Sequence, residues 1–357
     1  MPRNTQVTID PEAIRHNLSQ VKAWAPHSKV MAVVKADAYG HRLDLCVPAL
    51  KGADLLAVAT LEEARAIRRL GINQGIVLLE GVAHFSDLAM VEELDLELVV
   101  HHSAQVDAIE QYGRSPSRRI WIKINTGMNR LGLRPLDARA SHQRLSALSG
   151  LADIDWISHF ANSESDPKQT QEQVRLFDEA TRGLGGARCL ANSAAIIQAP
   201  ETHREWVRAG VVLYGISPLS AQTGHDLGLK PAMRVEAELI AINQVEPGER
   251  VGYGGRYVVE RPSVLGVASI GYGDGYPRAM RDGAPVLVKG QPATLAGRVS
   301  MDMITLDLSG VESPAIGDTV QLWGPELPVE KVAEWADTIP YELVCRMTRR
   351  VRYNMAP

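Results

Sequence analysis

The chain has little cysteine, with only Cys46, Cys189 and Cys345 among 357 residues. These cysteines are odd in number, far apart in the sequence and free of the CxxC spacing. The sequence therefore argues against a disulfide framework and against a cysteine metal site. We expect reduced and mostly buried thiols, and we predict no bound metal.

An excess of positive charge is also missing, because 38 Lys and Arg face 42 Asp and Glu and the formal net charge is −4. No basic stripe is available to neutralise phosphates, so we expect no nucleic-acid partner. No apolar run is long enough to cross a bilayer, and the first ten residues lack the apolar core of a signal peptide. We expect a cytoplasmic globular protein without a membrane partner.

The sequence does contain a recurring pair of signals, in which a short apolar run precedes an amphipathic stretch. Helical spacing is clear at 61–70, where Glu62, Glu63 and Arg65 lie on the polar side. Eight apolar runs predict strands, at 29–34, 55–59, 76–79, 96–100, 120–124, 154–157, 188–191 and 206–208. Eight strand–helix repeats predict an α/β fold with a closed parallel (β/α)8 barrel, the TIM barrel.

The pattern changes near Leu229, where strand-like runs separated by turn residues replace the helical stretches. These runs lie at 237–244, 264–270, 286–288, 303–308 and 319–323. We therefore predict a barrel domain over 10–228 and a smaller, mainly β domain over 229–357. Residues 1–9 contain a candidate extra strand of the second domain, at 6–9.

Reactive groups of such barrels lie at the carboxyl ends of the strands. The first predicted strand ends in AVVKADAYGH (32–41), which places Lys35 at the end of an apolar run. A lysine that emerges from apolar surroundings gives up its proton more readily, which makes it a better nucleophile toward an aldehyde. Taken alone, however, this position favours a lysine that simply reaches from a strand end to solvent.

Polar groups follow other predicted strands as well, in KINTGMNRLG (123–132), ISHFANS (157–163), LANSAA (190–195) and RAGVVLYGI (208–216). Ser193 comes after the seventh strand and Gly210 after the eighth. Those two loops commonly form a phosphate site in this fold, with hydroxyl and backbone N–H groups as donors. A lysine beside a phosphate site indicates a phosphorylated aldehyde cofactor.

The segment around Lys35 closely resembles the cofactor-lysine motif of alanine racemases, and similar motifs recur in family order over nearly the whole chain. They are KINTGMNRLG, HFANS, ANSAA, the stretch 208–215, IGYGDGYPR (270–278), GRVSMD (297–302) and PYELVCR (340–346). Seven motifs in order argue strongly against a chance similarity.

The resemblance implies pyridoxal phosphate as the cofactor and a homodimer whose active sites draw residues from both subunits. Lys35 would bind the cofactor as an internal aldimine, and a phosphate site would include the backbone at Gly210 and Val211. The residues implied at the cofactor are Lys35, Tyr39, His159, Asn192, Ser193, Arg208, Gly210, Val211 and Tyr341.

The resemblance further implies interconversion of L-alanine and D-alanine, either to provide D-alanine for peptidoglycan or in alanine catabolism. Racemisation needs one acid–base group on each face of Cα. The implied pair is Lys35 and, from the neighbouring subunit, Tyr272. Arg208 matches the residue that faces the pyridine nitrogen, and because arginine keeps its proton the ring nitrogen should stay unprotonated. His159 matches the histidine between that tyrosine and that arginine.

Substrate contacts are implied in the same way. Arg130 matches the residue that contacts the cofactor's phenolic oxygen and the substrate carboxylate, and the Met301 backbone N–H would bind that carboxylate too. Lys123 matches a lysine that several family members carry in carbamylated form, with a negative charge that positions the arginine.

Other functions of the same scaffold remain open at the level of sequence. One is a racemase of broader range that accepts, for example, serine, and another is a basic-amino-acid decarboxylase, although decarboxylases of this fold are generally longer. The third is a non-catalytic protein that binds pyridoxal phosphate. Such proteins resemble the barrel alone, so the second domain with Tyr272 and Met301 counts against this interpretation.

Overall fold

The computed structural model describes residues 4–356, which divide into two compact units. The barrel unit comprises Arg15–Ala38 and Arg42–Leu213. The sheet unit comprises the described residues before Arg15, the short segment Tyr39–His41, and the chain from Tyr214 onward. Each unit is therefore assembled from segments that are separated in the sequence.

Eight parallel strands close into a barrel, in the order in which they occur along the chain. After β1 (Gln6–Ile9), which belongs to the sheet unit, the barrel strands are β2 (Lys29–Val33), β3 (Leu55–Val58), β4 (Ile76–Leu78), β5 (Leu96–Val100), β6 (Arg119–Lys123), β7 (Asp153–Ile157), β8 (Arg188–Cys189) and β9 (Trp206–Ala209). Strand β9 closes the ring on β2, with Trp206 opposite Lys29. Each predicted run overlaps one of these strands, and the predicted (β/α)8 barrel is confirmed.

The barrel strands are short apolar runs because both of their faces are covered. Every residue of β3 and of β4 is buried, as expected for parallel strands with side chains inside the barrel and helices outside it. The largest buried side chains of the barrel include Trp121 and Trp156. The core of this unit therefore fills the barrel and leaves polar side chains for the strand ends.

Helices alternate with the barrel strands, and their ends carry the expected signals. They are α1 (Pro11–Trp24), α2 (Leu43–Cys46), α3 (Leu61–Arg69), α4 (Leu88–Glu93), α5 (Ser103–Tyr112), α6 (Ala138–Ser146), α7 (Pro167–Ala180) and α8 (Ser193–Gln198). Helix α3 starts with a capping box between Thr60 and Glu63. In α7 the Asp166 side chain accepts from Gln169 N and Pro167 occupies the first turn.

A left-handed turn follows β2 directly after Lys35. Four consecutive residues have φ values of 54°, 52°, 57° and 54°, namely Ala36, Asp37, Ala38 and Tyr39. Each non-glycine residue in this region costs about 1–2 kcal/mol, so the turn needs outside support. The Glu63 carboxylate provides some, because its two oxygens accept hydrogen bonds from Ala36 N (2.7 Å) and Ala59 N (2.9 Å).

The sheet unit is built on one mixed, mainly antiparallel sheet of eight strands in the order β13-β16-β15-β14-β17-β10-β1-β18, and β13 also pairs with β10. Beyond β1, the elements of this unit are β10 (Met233–Val245), β11 (Arg250–Val251), β12 (Tyr257–Val258), β13 (Ser263–Ala268), β14 (Pro285–Val288), β15 (Gln291–Leu295), β16 (Ile304–Asp307), β17 (Thr319–Trp323), β18 (Arg352–Met355), α9 (Val329–Glu334) and α10 (Pro340–Cys345). Strand β1 is antiparallel to β10 and parallel to β18.

The segment 214–228 belongs to the sheet unit, whereas the sequence pattern had grouped it with the barrel. The Glu330 side chain explains this packing, since its Oε1 accepts from Ser217 N at 2.9 Å and from Gly224 N at 2.8 Å. Ala232 N also donates to Tyr214 O at 3.0 Å. These hydrogen bonds tie the segment to helix α9 and to the start of β10.

Two features are absent from the part of the chain that the structure describes. Within residues 4–356, no helix has the length and hydropathy to span a membrane. In the same part of the chain, no group of three or more His, Cys, Asp or Glu side chains is arranged to hold a metal ion.

Candidate active site

Polar side chains from distant parts of the chain converge at the carboxyl ends of the barrel strands. Lys35 follows β2, Lys123 is the last residue of β6, His159 follows β7 and Arg208 lies within β9. In a closed parallel barrel these ends form one rim. The charges of Lys35, Lys123 and Arg208 all act on His159, so the sequence-predicted residues of the barrel come together.

Arg208 is locked in place by hydrogen bonds at both of its terminal nitrogens. The side chain is buried, and Nη1 donates to Cys189 Sγ at 3.1 Å. Nη2 donates to Ser158 O at 2.9 Å and to His159 Nδ1 at 2.8 Å. Because an arginine keeps its proton, this arrangement fixes a permanent positive charge at the rim.

His159 is neutral in this arrangement. Its Nδ1 accepts the Arg208 hydrogen bond, so the remaining ring proton is on Nε2. Burial is the largest cause that holds the pKa of His159 well below its ordinary value, and the positive charge of Arg208 is the next. Lys123, Arg130 and Lys35 lower this pKa further through their charges.

Lys123 is half-buried at the end of β6. Burial is the largest cause that lowers its pKa to about 8, and the charge of Arg208 is the second. Arg130 and Lys35 act in the same direction, while Glu80 opposes them. Roughly a tenth of this amine is therefore uncharged at pH 7.

Ser193 and Gly210 are adjacent at the ends of β8 and β9. Gly210 N donates to Ser193 Oγ at 2.9 Å, and Ser193 is the first residue of α8. Asn192 caps that helix, since its Oδ1 accepts from Ala195 N at 3.1 Å. The predicted hydroxyl and backbone groups of the phosphate loops thus lie side by side, with Val211 buried next in the chain.

The sequence reasoning missed a buried network beneath this rim, centred on Gln173 of α7. Gln173 is 1% exposed, and its Nε2 donates to Thr126 Oγ1 and to His159 O, each at 3.1 Å. Its Oε1 accepts from Ala161 N at 2.9 Å. Thr126 Oγ1 lies 2.8 Å from Ser158 Oγ, so one side chain connects the loops after β6 and β7. The only signal in the sequence is a polar residue on the apolar face of α7.

Three tyrosine rings of the sheet unit form one cluster, those of Tyr39, Tyr214 and Tyr341. The ring centroids of Tyr39 and Tyr214 are 5.1 Å apart, and those of Tyr39 and Tyr341 are 6.1 Å apart. Tyr39 and Tyr341 were predicted to act together, whereas Tyr214 was not singled out. Gly40, which follows Tyr39, packs closely against the backbone of α10, the helix that contains Tyr341. A Cβ on Gly40 would lie 2.1 Å from Val344 O, so a larger residue would push these two segments apart.

Tyr272 and Met301 also lie together in the sheet unit. Tyr272 N donates to Ser300 O at 3.0 Å, and Gly273 N donates to Met301 O at 2.9 Å. The Met301 side chain is 52% exposed, and Tyr272 is half-buried. The two predicted residues of the second domain are therefore neighbours on one surface.

The barrel and its rim first define a class, the (β/α)8-barrel proteins whose functional groups lie at the carboxyl ends of the strands. Residues 9–218 match the model of the alanine racemase N-terminal domain, and residues 232–355 match that of the alanine racemase C-terminal domain. The chain belongs to the alanine racemase family, whose members use pyridoxal phosphate.

Similar proteins cover nearly the whole chain. The alanine racemase of Nitrosococcus oceani is 46% identical over 352 residues, which are 98% of this chain and 99% of the relative. That of Janthinobacterium sp. (strain Marseille) is 44% identical over 356 residues, 99% of each chain. The crystal structure of the biosynthetic alanine racemase from Pseudomonas aeruginosa superimposes with a TM-score of 0.95 at 42% identity, covering 99% of this chain and 100% of that one. The family, fold and cofactor predicted from the motifs are confirmed.

Proposed function

We propose that this protein interconverts L-alanine and D-alanine with pyridoxal phosphate as its cofactor. The observation that carries the proposal is the barrel rim, where the buried Arg208 is hydrogen-bonded to the half-buried His159 and the charge of Lys35 acts on that histidine. Membership of the alanine racemase family provides the substrate and the reaction type.

The residues of the rim fit an anionic cofactor. Lys35, Lys123, Arg130 and Arg208 all act on His159 as positive charges, whereas Glu80 acts on Lys123 as a negative charge. Of these four side chains Arg208 is buried, Lys35 and Lys123 are half-buried and Arg130 is exposed, and cations that repel one another at such a rim are compensated by an anion. A phosphate together with a phenolic oxygen would provide that negative charge.

The phosphate would be held by the groups that already lie side by side after β8 and β9. Ser193 Oγ and the backbone N–H groups of Gly210 and Val211 are donors of the kind that bind phosphate at barrel rims. Tyr39 and Tyr341 would add their hydroxyls. Asn192 would act by holding Ser193 at the start of α8.

When bound, pyridoxal phosphate stabilises the negative charge that develops at the substrate Cα. Lys35 would hold the cofactor and exchange a proton on one face of Cα, and the phenol of Tyr272 would exchange a proton on the opposite face. Two groups on opposite faces suffice for racemisation, because one removes the proton while the other delivers one.

Arg208 and His159 would set the electronic properties of the site. An arginine cannot protonate the ring nitrogen of the cofactor, which limits the cofactor's capacity to withdraw electrons and disfavours side reactions. His159 would pass the influence of Arg208 toward Tyr272 through its Nε2 proton. Support for this pairing is the 2.8 Å contact between Arg208 Nη2 and His159 Nδ1.

Substrate binding would fall to Arg130 and to the backbone N–H of Met301, both of which suit a carboxylate. Lys123 is a candidate for carbamylation, because only an uncharged amine reacts with carbon dioxide and burial lowers the pKa of this lysine to about 8. The carbamate would replace the positive charge of Lys123, which repels Arg130, with a negative charge that attracts it.

We also propose the setting in which the enzyme works. The active form would be a cytoplasmic homodimer in which Tyr272 and Met301 act in the partner's site. The corresponding division of function is that the barrel unit binds the cofactor, while the sheet unit with β1 provides Tyr272 and Met301; the bounds predicted for these two domains from the sequence are 10–228 and 229–357. The product D-alanine would serve peptidoglycan synthesis, or the reaction would serve alanine catabolism.

The test is incubation of the protein loaded with pyridoxal phosphate with L-alanine in deuterated water, followed by chiral chromatography with mass detection. D-alanine with deuterium at Cα is the expected product. The same experiment with L-serine measures substrate range. A loaded protein that exchanges no Cα proton would refute the racemase and favour a cofactor-binding role, and release of carbon dioxide from a basic amino acid would indicate a decarboxylase.

A further inference from the structure

Tyr272 lies on a tight turn, residues 271–276, that closes on itself. Asp274 N and Tyr276 N both donate to Gly271 O, at 3.0 and 3.2 Å. In return, the Asp274 side chain accepts from Gly271 N at 2.9 Å through Oδ2. Asp274 therefore braces the turn that carries the tyrosine.

The turn is joined to the segment 300–302. Besides the backbone bonds of Tyr272 and Gly273 to Ser300 O and Met301 O, Gly271 is pressed against both carbonyls. A Cβ on Gly271 would lie 2.4 Å from each of these two oxygens. Only glycine permits this approach, so the two segments are packed backbone against backbone.

Arg350 bridges the two segments with its side chain. Its Nη2 donates to Asp302 Oδ1 at 2.5 Å, and its Nε lies 3.5 Å from Asp274 Oδ1. The guanidinium also covers the turn, since a Cβ on Gly273 would lie 2.3 Å from Arg350 Nη1. Asp274 is 1% exposed, and a carboxylate buried to this extent needs a cation or hydrogen bonds for compensation.

The residues just before Arg350 hold the same turn through other contacts. Thr348 N donates to Asp274 O, and Thr348 Oγ1 donates to Gly273 O, both at 3.0 Å. The segment 348–350 is thereby fixed on the turn, which aims the Arg350 side chain at both carboxylates.

We propose that Arg350 is a positioning residue that fixes the Tyr272 turn relative to the Met301 backbone. The inference rests on the proposed function, in which Tyr272 moves a proton at Cα and the Met301 N–H binds the substrate carboxylate. A planar guanidinium reaches Asp274 and Asp302 at once, which a single ammonium group does not. Arg350 thus keeps the proton-transferring phenol and the carboxylate anchor at a constant separation.

The experiment compares Arg350→Met, Arg350→Lys and Asp302→Asn in the enzyme loaded with pyridoxal phosphate. Arg349→Met is the matched control, because it removes the same charge from an exposed neighbour for which the described residues show no ion pair. The measurements are kcat and KM for each alanine enantiomer, and the Cα-deuterium isotope effect on kcat/KM in each direction.

We expect Arg350→Met to lower kcat/KM by about 10- to 100-fold, the order that a displacement of about 1 Å costs in catalysis. Arg350→Lys should restore part of the loss, and Arg349→Met should leave kcat/KM unchanged. Arg350→Met should slow proton transfer by Tyr272 more than proton transfer by Lys35. The isotope effect should therefore rise for the enantiomer whose Cα proton Tyr272 removes and fall for the other enantiomer.

Equal behaviour of Arg350→Met and Arg349→Met would overturn the proposal. So would a fall in kcat with unchanged isotope effects, since loss of folded enzyme lowers both directions without changing which step limits the rate. If Arg350→Met does not fold, Asp302→Asn, which alters the exposed end of the bridge, decides by the same criteria. A wild-type enzyme that does not racemise alanine would instead refute the proposed function.

Discussion

Replacement of Gln173 by leucine should destabilise the barrel unit and disturb the loop that carries His159. The substitution keeps a similar volume but removes three hydrogen bonds, two donated by Nε2 and one accepted by Oε1. Thr126 Oγ1 keeps its contact with Ser158 Oγ, whereas His159 O and Ala161 N lose the Gln173 partner. Each buried polar group left unsatisfied costs about 1–3 kcal/mol.

Two such groups amount to a loss of about 3 kcal/mol after allowance for the apolar burial of leucine. For a unit of this size that corresponds to a fall in melting temperature of roughly 6–12 °C. The assay is thermal unfolding followed by circular dichroism, with Gln171→Leu as the control because Gln171 is exposed on the same helix. A Gln173→Leu melting temperature equal to that of the control would refute the reasoning.

Two further substitutions test buried polar groups. Lys123→Met should raise the free energy of unfolding at pH 7 in buffer free of carbon dioxide, because the folded pKa of about 8 is below that of an exposed lysine. Between these two pKa values Lys123 binds a proton in the unfolded chain but not in the folded one, so the stability of the wild type should rise with pH in this range. The stability advantage of Lys123→Met should therefore vanish near pH 10. Urea unfolding at several pH values measures this, and a difference in stability that does not change with pH would contradict it. Tyr276→Phe should leave stability unchanged or raise it by about 1 kcal/mol, because burial raises the pKa of Tyr276 and its hydroxyl has no partner within residues 4–356. Thermal unfolding checks this, and a clear loss would mean that the hydroxyl has a partner.

Much of the fold is readable from the sequence because barrel strands are covered on both faces. Runs such as those of β3 and β4 are apolar throughout, which distinguishes them from the amphipathic helices between them. Strands β15 and β18 were not predicted. Pro292 interrupts the pattern of β15, and β18 consists of half-buried and exposed residues without an apolar run. Strand β15 pairs with its sequence neighbours β14 and β16, and β18 pairs with the distant β1. Pairing, rather than local pattern, determines that they form.

In the candidate site, too, some features were predictable from the sequence and others were not. Lys35, Lys123, His159 and Arg208 were found because they follow or end apolar runs, while their roles came from the resemblance to a family. The left-handed turn after Lys35 could not be predicted, since Ala36–Ala38 contain no glycine to signal positive φ. Nor could the Gln173 network, because a buried glutamine is recognisable only once the loops that it contacts are known.

The Glu63 carboxylate stabilises two elements, the start of helix α3 and the turn after Lys35. Its Oε2 completes the capping box of helix α3 by accepting from Thr60 N, and its Oε1 accepts from Ala36 N next to Lys35. An ordinary helix cap tolerates exchange among several residues, but here a shorter or uncharged side chain would loosen two elements together. In a library of random variants, position 63 should therefore accept fewer replacements than other first-turn positions. Any redesign of helix α3 that replaces Glu63, whether for thermostability or for a chimeric barrel, will therefore also alter the support of the backbone next to Lys35.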